Sequence, residues 1–265
     1  MKYRIGIDVG GTFTDLFLWS EDGSVETFKV LSTPEDPSEG VFDGLAAIAE
    51  QKGLGVSELT SRIGAIVHGT TVTTNAVLTR GGAATGLLTT RGVRDALEMR
   101  RGIREEQYDN RLQNVVPLVP RWLRLTAAGR LDWKGEELEA LSTEDVRVAA
   151  GRFLEAGCDA VAICFMNAFA NDSQERQAAE ILRAELPDCF VSVSSELLPT
   201  IRFYNRVSTT VLNGYVGPIL HSYLGSLTAK LAAIGFGGVL LIMQSNGGVA
   251  VPQVTLARPA TTLLS

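Results

Sequence analysis

The residues whose types and spacing best suit chemistry lie between positions 8 and 15, where the sequence reads Asp-Val-Gly-Gly-Thr-Phe-Thr-Asp. Two adjacent glycines allow the backbone to adopt positive φ and to approach a ligand without a Cβ in the way. The N–H groups of Gly10, Gly11 and Thr12 can then point into one concavity and bind an anion, with the hydroxyls of Thr12 and Thr14 as further donors. The segment predicts a phosphate-binding turn, and a plain Gly-Gly hairpin is the alternative.

Two carboxylates flank this turn. Asp8 lies at the C-terminal end of the first apolar stretch, where a carboxylate can hold a hydrated Mg²⁺ beside a phosphate. Asp15 can hold the same ion or can simply fix the turn. Both residues are therefore candidate magnesium ligands.

Short β-forming stretches surround the glycines, at residues 3–7, 16–19 and 25–31. This order predicts strand, turn, strand, turn, strand. A Walker loop is excluded because Thr14-Asp15 replaces the Lys-Ser or Lys-Thr that such a loop requires. A dinucleotide fingerprint is excluded because the residues after the glycines alternate like a strand and not like a helix.

A second candidate site begins at His68, at the end of the apolar stretch 63–67. The ends of strands are where α/β sheets place ligands. His68 can donate a hydrogen bond to a substrate or move a proton near neutral pH, or it can be a structural histidine. Thr70 precedes a predicted helix of residues 71–79, which starts at Thr71 and on which Asn75 shares a side with Thr71.

The rest of the chain alternates between predicted helices and strands. Asp36 is a suitable N-cap, with Pro37 in the first helical position. Residues 142–193 read as helices alternating with apolar strands, which predicts a parallel sheet with covering helices. Residues 200–234 read as one long helix, with a possible break around Gly214 and Gly217-Pro218.

Two segments allow two interpretations each. The glycine turn at residues 244–248 is either a ligand-facing loop or a simple hairpin. The charge-dense stretch from Met99 to Pro120, which includes Arg100, Arg104, Glu105 and Arg111, is either solvated surface or a substrate or subunit loop.

Composition narrows the classes of protein. A chain of 265 residues, 45% hydrophobic and 20% charged, is long enough for one large or two modest globular domains. Its net charge of −6 argues against nucleic-acid binding.

The N-terminus has no apolar signal region and no stretch of the sequence is long enough to span a membrane, so we expect a soluble cytoplasmic protein. An odd number of cysteines, three, without CxxC spacing predicts reduced thiols, and two distant histidines make a zinc site improbable.

Beyond these local patterns, the chain resembles a known family. Residues 8–15 resemble the first phosphate loop of the actin, sugar-kinase and heat-shock-chaperone ATPases. More closely, the chain resembles the N-terminal part of the hydantoinase A and oxoprolinase family. The resemblance spans nearly the whole chain, in family order, at residues 6–15, 68–76, 116–121, 194–199, 208–213 and 242–248.

The resemblance implies an α/β fold of the RNase H-like type, in which a mixed sheet with flanking helices opens with three antiparallel strands. It implies two regions, an N-terminal domain at residues 1–198 and the start of a hydantoinase A domain at residues 199–265. No second Asp-x-Gly-Gly-Thr string follows Asp15, so we expect a fragment whose second half, and whose nucleotide site, are incomplete.

The family's chemistry would be ATP-dependent opening of a hydantoin or 5-oxoproline ring through phosphorylation of the lactam oxygen. The resemblance then makes Gly10, Gly11, Thr12, Thr14 and Asp15 the ATP-binding residues, with Mg²⁺ on Asp8 and Asp15. Asp8, His68 and Asn75 become the candidate catalytic residues, with Thr70 and Thr71 at the substrate. A second subunit or domain of the hydantoinase B type is the implied partner.

Two rival functions remain open. The same loops would serve a carboxylase subunit of the acetone or acetophenone type, which activates a ketone or bicarbonate with ATP. Alternatively, the chain is a non-catalytic assembly module, in which Gly10-Gly11 is only a hairpin and the loop from Arg100 to Arg111 docks a partner.

Overall fold

A computed structural model describes residues 2–33, 36–102, 106, 108–111 and 113–264. The strands, in chain order, are β1 (Tyr3–Val9), β2 (Phe13–Ser20), β3 (Val25–Leu31), β4 (Ile63–Thr70), β5 (Thr85–Thr90), β6 (Arg124–Ala127), β7 (Arg130–Leu131), β8 (Glu137–Glu139), β9 (Ala160–Cys164), β10 (Phe190–Val193), β11 (Val239–Met243) and β12 (Val249–Ala250). The α-helices are α1 (Pro37–Gln51), α2 (Val56–Ser61), α3 (Val72–Leu78), α4 (Ala96–Met99), α5 (Thr143–Glu155), α6 (Ser173–Glu185), α7 (Ser194–Leu197), α8 (Phe203–Ala233) and α9 (Pro252–Ala257).

The chain divides into two compact units. Unit 1 comprises Met1–Gly81 and Ile219–Ser265, and unit 2 comprises the intervening Gly82–Pro218. Unit 1 is therefore discontinuous in sequence. The boundary between two domains after residue 198, expected from the sequence, stays a prediction.

Unit 1 contains a six-stranded mixed sheet with the strand order β12-β11-β4-β1-β2-β3. The strands β1, β2 and β3 pair antiparallel, whereas β4 pairs parallel with both β1 and β11. The predicted α/β fold, with a mixed sheet that opens on three antiparallel strands, is confirmed.

Helices cover one face of this sheet at β1 and β2. Ile5 and Ile7 on β1 and Leu16 and Leu18 on β2 are buried, together with apolar residues of α1 and of the C-terminal part of α8. On the opposite face, Phe17 and Trp19 remain about half exposed. Since successive side chains of a strand point to opposite faces, every second residue of β1 and β2 faces outward.

The first helix is anchored as its sequence predicts. Asp36 caps α1 by accepting a hydrogen bond from the Ser38 amide at 3.0 Å, and Pro37 occupies the first turn. Lys230 of α8 donates to the Asp36 carboxylate at 2.6 Å and to the Ser38 hydroxyl at 2.8 Å. These contacts hold the pKa of Asp36 below its usual range. Close packing follows at Gly44, where a Cβ would lie 2.3 Å from Leu16 Cδ1.

Unit 2 is built on a four-stranded, all-parallel sheet with the order β10-β9-β5-β6, which confirms the predicted parallel arrangement. Its core includes a buried carboxylate, Glu175 of α6. The two oxygens of Glu175 accept hydrogen bonds from the Phe165 amide (2.7 Å), the Ser194 hydroxyl (2.6 Å) and the Ser195 amide (2.8 Å). Three donors hold this carboxylate in place, while burial raises its pKa.

The long helix α8 runs without a break through Gly214, Gly217 and Pro218, so the possible interruption predicted there is wrong. Gly214 and Gly217 instead allow α8 to pack closely against neighbouring side chains. A Cβ on Gly214 would lie 3.4 Å from Thr85 Cγ2, and one on Gly217 would lie 2.6 Å from Phe190 Cε1.

The two ambiguous segments have different outcomes. Residues 244–248 form the turn of a hairpin, because β11 and β12 pair antiparallel around them. In the charge-dense stretch, Arg101 donates to the Asn205 side chain at 2.8 Å, whereas Arg104 and Glu105 lie outside the described residues.

Two further sequence expectations concern the cysteines and membrane helices. All three cysteines are free thiols, as the sequence predicts. Within the described ranges, no helix combines the length and apolarity needed to cross a bilayer.

Candidate functional site

The turn between β1 and β2 presents two of its three predicted amides. The Gly10 amide donates to the Phe13 carbonyl at 3.0 Å, so it closes the turn and is not available to an anion. Gly11 and Thr12 are exposed, and within the described residues their amides donate to no protein acceptor. The three-amide nest expected from the sequence is therefore corrected to two amides.

The two glycines have different physical roles. A Cβ on Gly10 would lie 3.1 Å from the Phe13 carbonyl oxygen, so Gly10 is required by the tightness of the turn. A Cβ on Gly11 would meet no described atom within 4 Å, so the space beside it is open to a ligand. Neither glycine has positive φ, contrary to the sequence expectation.

Thr14 does not reach this open space. Its side chain is fully buried on the core side of the sheet, where its Oγ1 lies 3.0 Å from Ser32 Oγ. The alternation that buries Leu16 and Leu18 also buries Thr14, because all three share one face of β2. The prediction that Thr14 contacts ATP directly is not supported by this placement, and Thr12 retains the only exposed hydroxyl of the turn itself.

The two candidate metal ligands lie side by side. Asp8 and Asp15 are directly opposite each other in the β1–β2 ladder, so their side chains leave the same face of the sheet. This is the face opposite the core. Asp8 is exposed, and a Cβ on the adjacent Gly69 of β4 would lie 3.4 Å from Asp8 Oδ1. Asp15 is partly neutralised by Lys29, whose Nζ lies 3.0 Å from Asp15 Oδ1.

A pair of carboxylates suits magnesium better than metals that need a full protein cage. Within the described ranges there is no group of three or more His, Cys, Asp or Glu side chains that could hold a metal. Mg²⁺ typically keeps several waters and binds through one or two carboxylates together with substrate phosphates. The residues present therefore fit a magnesium ion that arrives with a nucleotide.

The start of α3 lies against the end of β1, next to the glycine turn. Both the amide and the hydroxyl of Thr71 are 3.3 Å from the Val9 carbonyl, and the Asn75 side chain donates to Thr71 Oγ1 at 3.2 Å. Thr71 and Asn75 thus share a side, as predicted, and Asn75 is exposed. Thr70 is buried, and its Oγ1 accepts from the Val72 amide at 3.3 Å.

His68 is placed away from the candidate site. Its side chain is fully buried on the core face of β4, where Nε2 lies 2.8 Å from the Tyr223 hydroxyl. Nδ1 has no hydrogen-bond partner among the described atoms. Burial lowers the pKa of His68 to about 4, so the ring is neutral near pH 7. This placement corrects the expectation of a substrate-facing histidine and supports the structural alternative.

One residue of the site was missed by the sequence analysis. Ser32, just after β3, donates its amide to the Thr12 carbonyl at 3.0 Å and its hydroxyl to the Gly10 carbonyl at 2.8 Å. The sequence signal for it was only a small polar residue at the end of a strand that returns to the glycine turn.

With this geometry established, comparison with known proteins identifies the class. The hydantoinase/oxoprolinase N-terminal region model matches residues 4–186, and the hydantoinase/oxoprolinase model matches residues 206–265. The chain belongs to the hydantoinase/oxoprolinase family.

Individual relatives cover the chain but are much longer than it. Caprolactamase subunit alpha of Pseudomonas jessenii is 38% identical over all of this chain and 38% of its own length. The crystal structure of that ATP-dependent caprolactamase superposes with a TM-score of 0.89 over 97% of this chain and 39% of the other. The gamma subunit of acetophenone carboxylase from Aromatoleum aromaticum is 34% identical over 93% of this chain and 35% of its own length. The 5-oxoprolinase of Saccharomyces cerevisiae is 30% identical over 93% of this chain and 22% of its own length.

Proposed function

We propose that this chain contributes part of an ATP site that drives the ring-opening hydrolysis of a cyclic amide. The observation that carries the proposal is the pair of exposed amides at Gly11 and Thr12, which donate to no acceptor among the described residues. Such amides bind phosphate oxygens through fixed dipoles, which suits an acidic protein that has no excess of positive charge. A relative of similar sequence is described as an ATP-dependent caprolactamase, which supports ATP as the phosphate donor.

In this proposal Asp8 and Asp15 hold Mg²⁺ beside the phosphates. When bound, the ion neutralises charge on the transferring phosphoryl group. Lys29 beside Asp15 limits the negative charge of the carboxylate pair in the absence of the nucleotide. Thr12 and the exposed Asn75 can donate hydrogen bonds from the same end of the sheet, whereas the Thr71 hydroxyl donates to the Val9 carbonyl. We assign Thr71 and Asn75 to the side of the substrate.

The substrate class is a lactam such as a hydantoin or 5-oxoproline ring. Amide resonance makes the lactam carbon a poor electrophile. Transfer of the γ-phosphoryl group to the lactam oxygen releases ADP and makes that carbon electrophilic. Attack by water then allows the C–N bond to break as the nitrogen takes up a proton, and a second water releases phosphate. The balance is one ATP and two waters for one ring opened. Positioning and charge neutralisation are the main demands of the phosphoryl transfer.

A second polypeptide of the hydantoinase B type is the proposed partner. Two of the relatives are named as subunits, alpha and gamma, which supports an assembly of several chains. We place the protein in the cytoplasm, where ATP is available and thiols stay reduced. Burial raises the pKa of the Cys158 thiol to about 11, so this cysteine is present as the unreactive thiol.

The second candidate function is that of a carboxylase subunit, which the similarity to the gamma subunit of acetophenone carboxylase supports. Turnover of ATP in the full-length complex distinguishes the two functions. Stimulation by a lactam alone supports hydrolysis, and stimulation by a ketone with bicarbonate supports carboxylation. Lack of stimulation by either substrate contradicts both.

The phosphate role is tested with Gly11→Ala and Asp8→Ala in the full-length protein. The Gly11 variant adds a methyl group where no described atom beyond its chain neighbours lies within 4 Å, so it should fold normally but intrude on the phosphate. We expect its ATP turnover to fall at least tenfold, and that of Asp8→Ala by about a hundredfold, without a change in thermal unfolding. Gly225→Ala, which also adds its methyl group in open space but on α8, is the matched control. Unchanged turnover in both site variants would refute the phosphate role.

A further inference from the structure

Ser32 contacts the glycine turn at three points. Its amide donates to the Thr12 carbonyl at 3.0 Å, its hydroxyl donates to the Gly10 carbonyl at 2.8 Å, and its Oγ lies 3.0 Å from Thr14 Oγ1. Ser32 follows the last residue of β3 and comes from a different hairpin, so these contacts tie the turn to the neighbouring strand.

The number of hydroxyl protons determines which residue donates in each of these hydrogen bonds. A serine hydroxyl has one proton to donate, and Ser32 gives it to the Gly10 carbonyl. The contact with Thr14 must then run the other way, with Thr14 donating to Ser32. Thr14 is fully buried, and a Cβ on Gly40 of α1 would lie 2.8 Å from its Oγ1, so the threonine has little freedom to turn away.

These two hydrogen bonds, from Thr14 to Ser32 and from Ser32 to the Gly10 carbonyl, control the direction of the Gly11 amide. In a trans peptide unit the C=O of one residue and the N–H of the next lie in one plane and point in opposite directions. Because Ser32 holds the Gly10 carbonyl on its own side, the Gly11 N–H is directed to the opposite side, where it donates to no acceptor among the described residues. A released carbonyl would let this peptide plane rotate.

We infer that Ser32 is the positioning residue of the nucleotide site, acting through the Gly10–Gly11 peptide, with Thr14 holding the Ser32 hydroxyl in its donating orientation. The inference depends on the proposed phosphate role of the turn. Ser32 touches no reacting atom, and Thr14 serves the site from the buried side of the sheet instead of binding ATP.

The test compares Ser32→Ala with Ser32→Thr, which restores a hydroxyl, in the full-length protein. Ser24→Ala is the matched control, because Ser24 lies just before the other end of β3 and its hydroxyl donates to the exposed Asp22. Two quantities are measured for each variant: kcat and KM for ATP, and the hydrogen-exchange protection of the Gly10 amide, which depends on the turn and not on the nucleotide.

We expect Ser32→Ala to raise KM for ATP about five- to tenfold, as for loss of one hydrogen bond, and to lower Gly10 protection by a similar factor. Ser32→Thr and Ser24→Ala should remain within about twofold of the wild type on both measures. A merely structural serine would lower the unfolding temperature while leaving KM unchanged.

The possible failures are distinguishable. If the wild type binds Mg-ATP and Ser32→Ala binds it equally well, the positioning role is overturned and the phosphate site stands. If Ser32→Thr is as impaired as Ser32→Ala, the hydroxyl is not the cause and the inference is likewise overturned. A wild type that binds no Mg-ATP overturns the proposed function, and this role with it.

Discussion

The burial of His68 makes the stability of unit 1 depend on pH in a way that decides between a structural and a catalytic histidine. The folded state holds the ring neutral, with its pKa lowered from 6.5 to about 4 by burial. In the unfolded chain the ring becomes protonated as the pH falls below 6.5. Because the unfolded state then binds more protons, stability falls with pH between 6.5 and about 4.

The size of the effect follows from the same values. A His68 pKa of about 4 in the folded state against 6.5 in the unfolded chain corresponds to a loss of about 3 kcal/mol of unfolding free energy at pH 4 relative to neutral pH. Above pH 6.5 both states are neutral and the contribution vanishes. A loss of this size is a large fraction of the stability of an ordinary domain, which is on the order of 5–15 kcal/mol.

The assay compares the wild type with His68→Gln, which retains a polar group near Tyr223 but cannot titrate. Hydrogen exchange of the β4 amides reports the stability of unit 1 separately from that of unit 2. We expect the unfolding free energy of the wild type to fall more steeply with decreasing pH than that of the variant. The difference in slope should correspond to the uptake of up to one additional proton on unfolding. The imidazole resonances give a direct check, because the chain has only two histidines. Parallel pH profiles, or a His68 midpoint near 6.5, would refute the assignment.

Three further predictions test packing, buried charge and the substrate side of the site. Gly44→Ala should destabilise the protein by about 1–3 kcal/mol because the methyl group would meet Leu16. Gly225→Ala, whose methyl group lies in open space, should stabilise it by about 0.5–1 kcal/mol. Denaturant unfolding measures both free energies, and equal effects would contradict the packing argument. Glu175→Gln should cost about 1–3 kcal/mol because an amide nitrogen would face donors that now bind a carboxylate oxygen; a neutral effect on thermal unfolding would oppose this. Asn75→Ala should leave unfolding nearly unchanged, since the side chain is exposed, but raise KM for the lactam severalfold; an unchanged KM would remove Asn75 from the site.

Much of unit 1 could be predicted from the sequence because its signals are local. Alternating apolar residues predicted β1 and β2, and the cap at Asp36 with Pro37 predicted the start of α1, as found. The shared side of Thr71 and Asn75 follows from helical spacing and is likewise found.

The inward placement of the Thr14 and His68 side chains could also be predicted in part from the sequence. Thr14 is two and four residues from Leu16 and Leu18, and His68 is two residues from Ile66. Side chains at this spacing share one face of a strand, so Thr14 and His68 each lie on the buried face. The sequence could not decide which face of β2 is covered, because Phe17 and Trp19 make the other face equally apolar. Only the packing of α1 and α8 settles that choice.

The contacts of Ser32 could not be predicted, because they depend on long-range register. Strand β3 must pair with β2 so that Phe13 lies opposite Leu31 before Ser32 can reach the Gly10 carbonyl. The use of the Gly10 amide within the turn depends in the same way on the type of turn, which the glycine pair alone leaves open.

The insertion of unit 2 into the sequence of unit 1 has a consequence for biosynthesis. Strand β11 pairs with β4, but it leaves the ribosome more than a hundred residues later, after all of unit 2. During that interval the nascent β1–β4 assembly exposes β4 as an unpaired strand edge, which is a template for incorrect pairing. Rapid completion of unit 2 and of α8 would shorten this exposure, so slow translation through residues 82–218 should increase misfolding of the nascent chain, and chaperone binding should be strongest there.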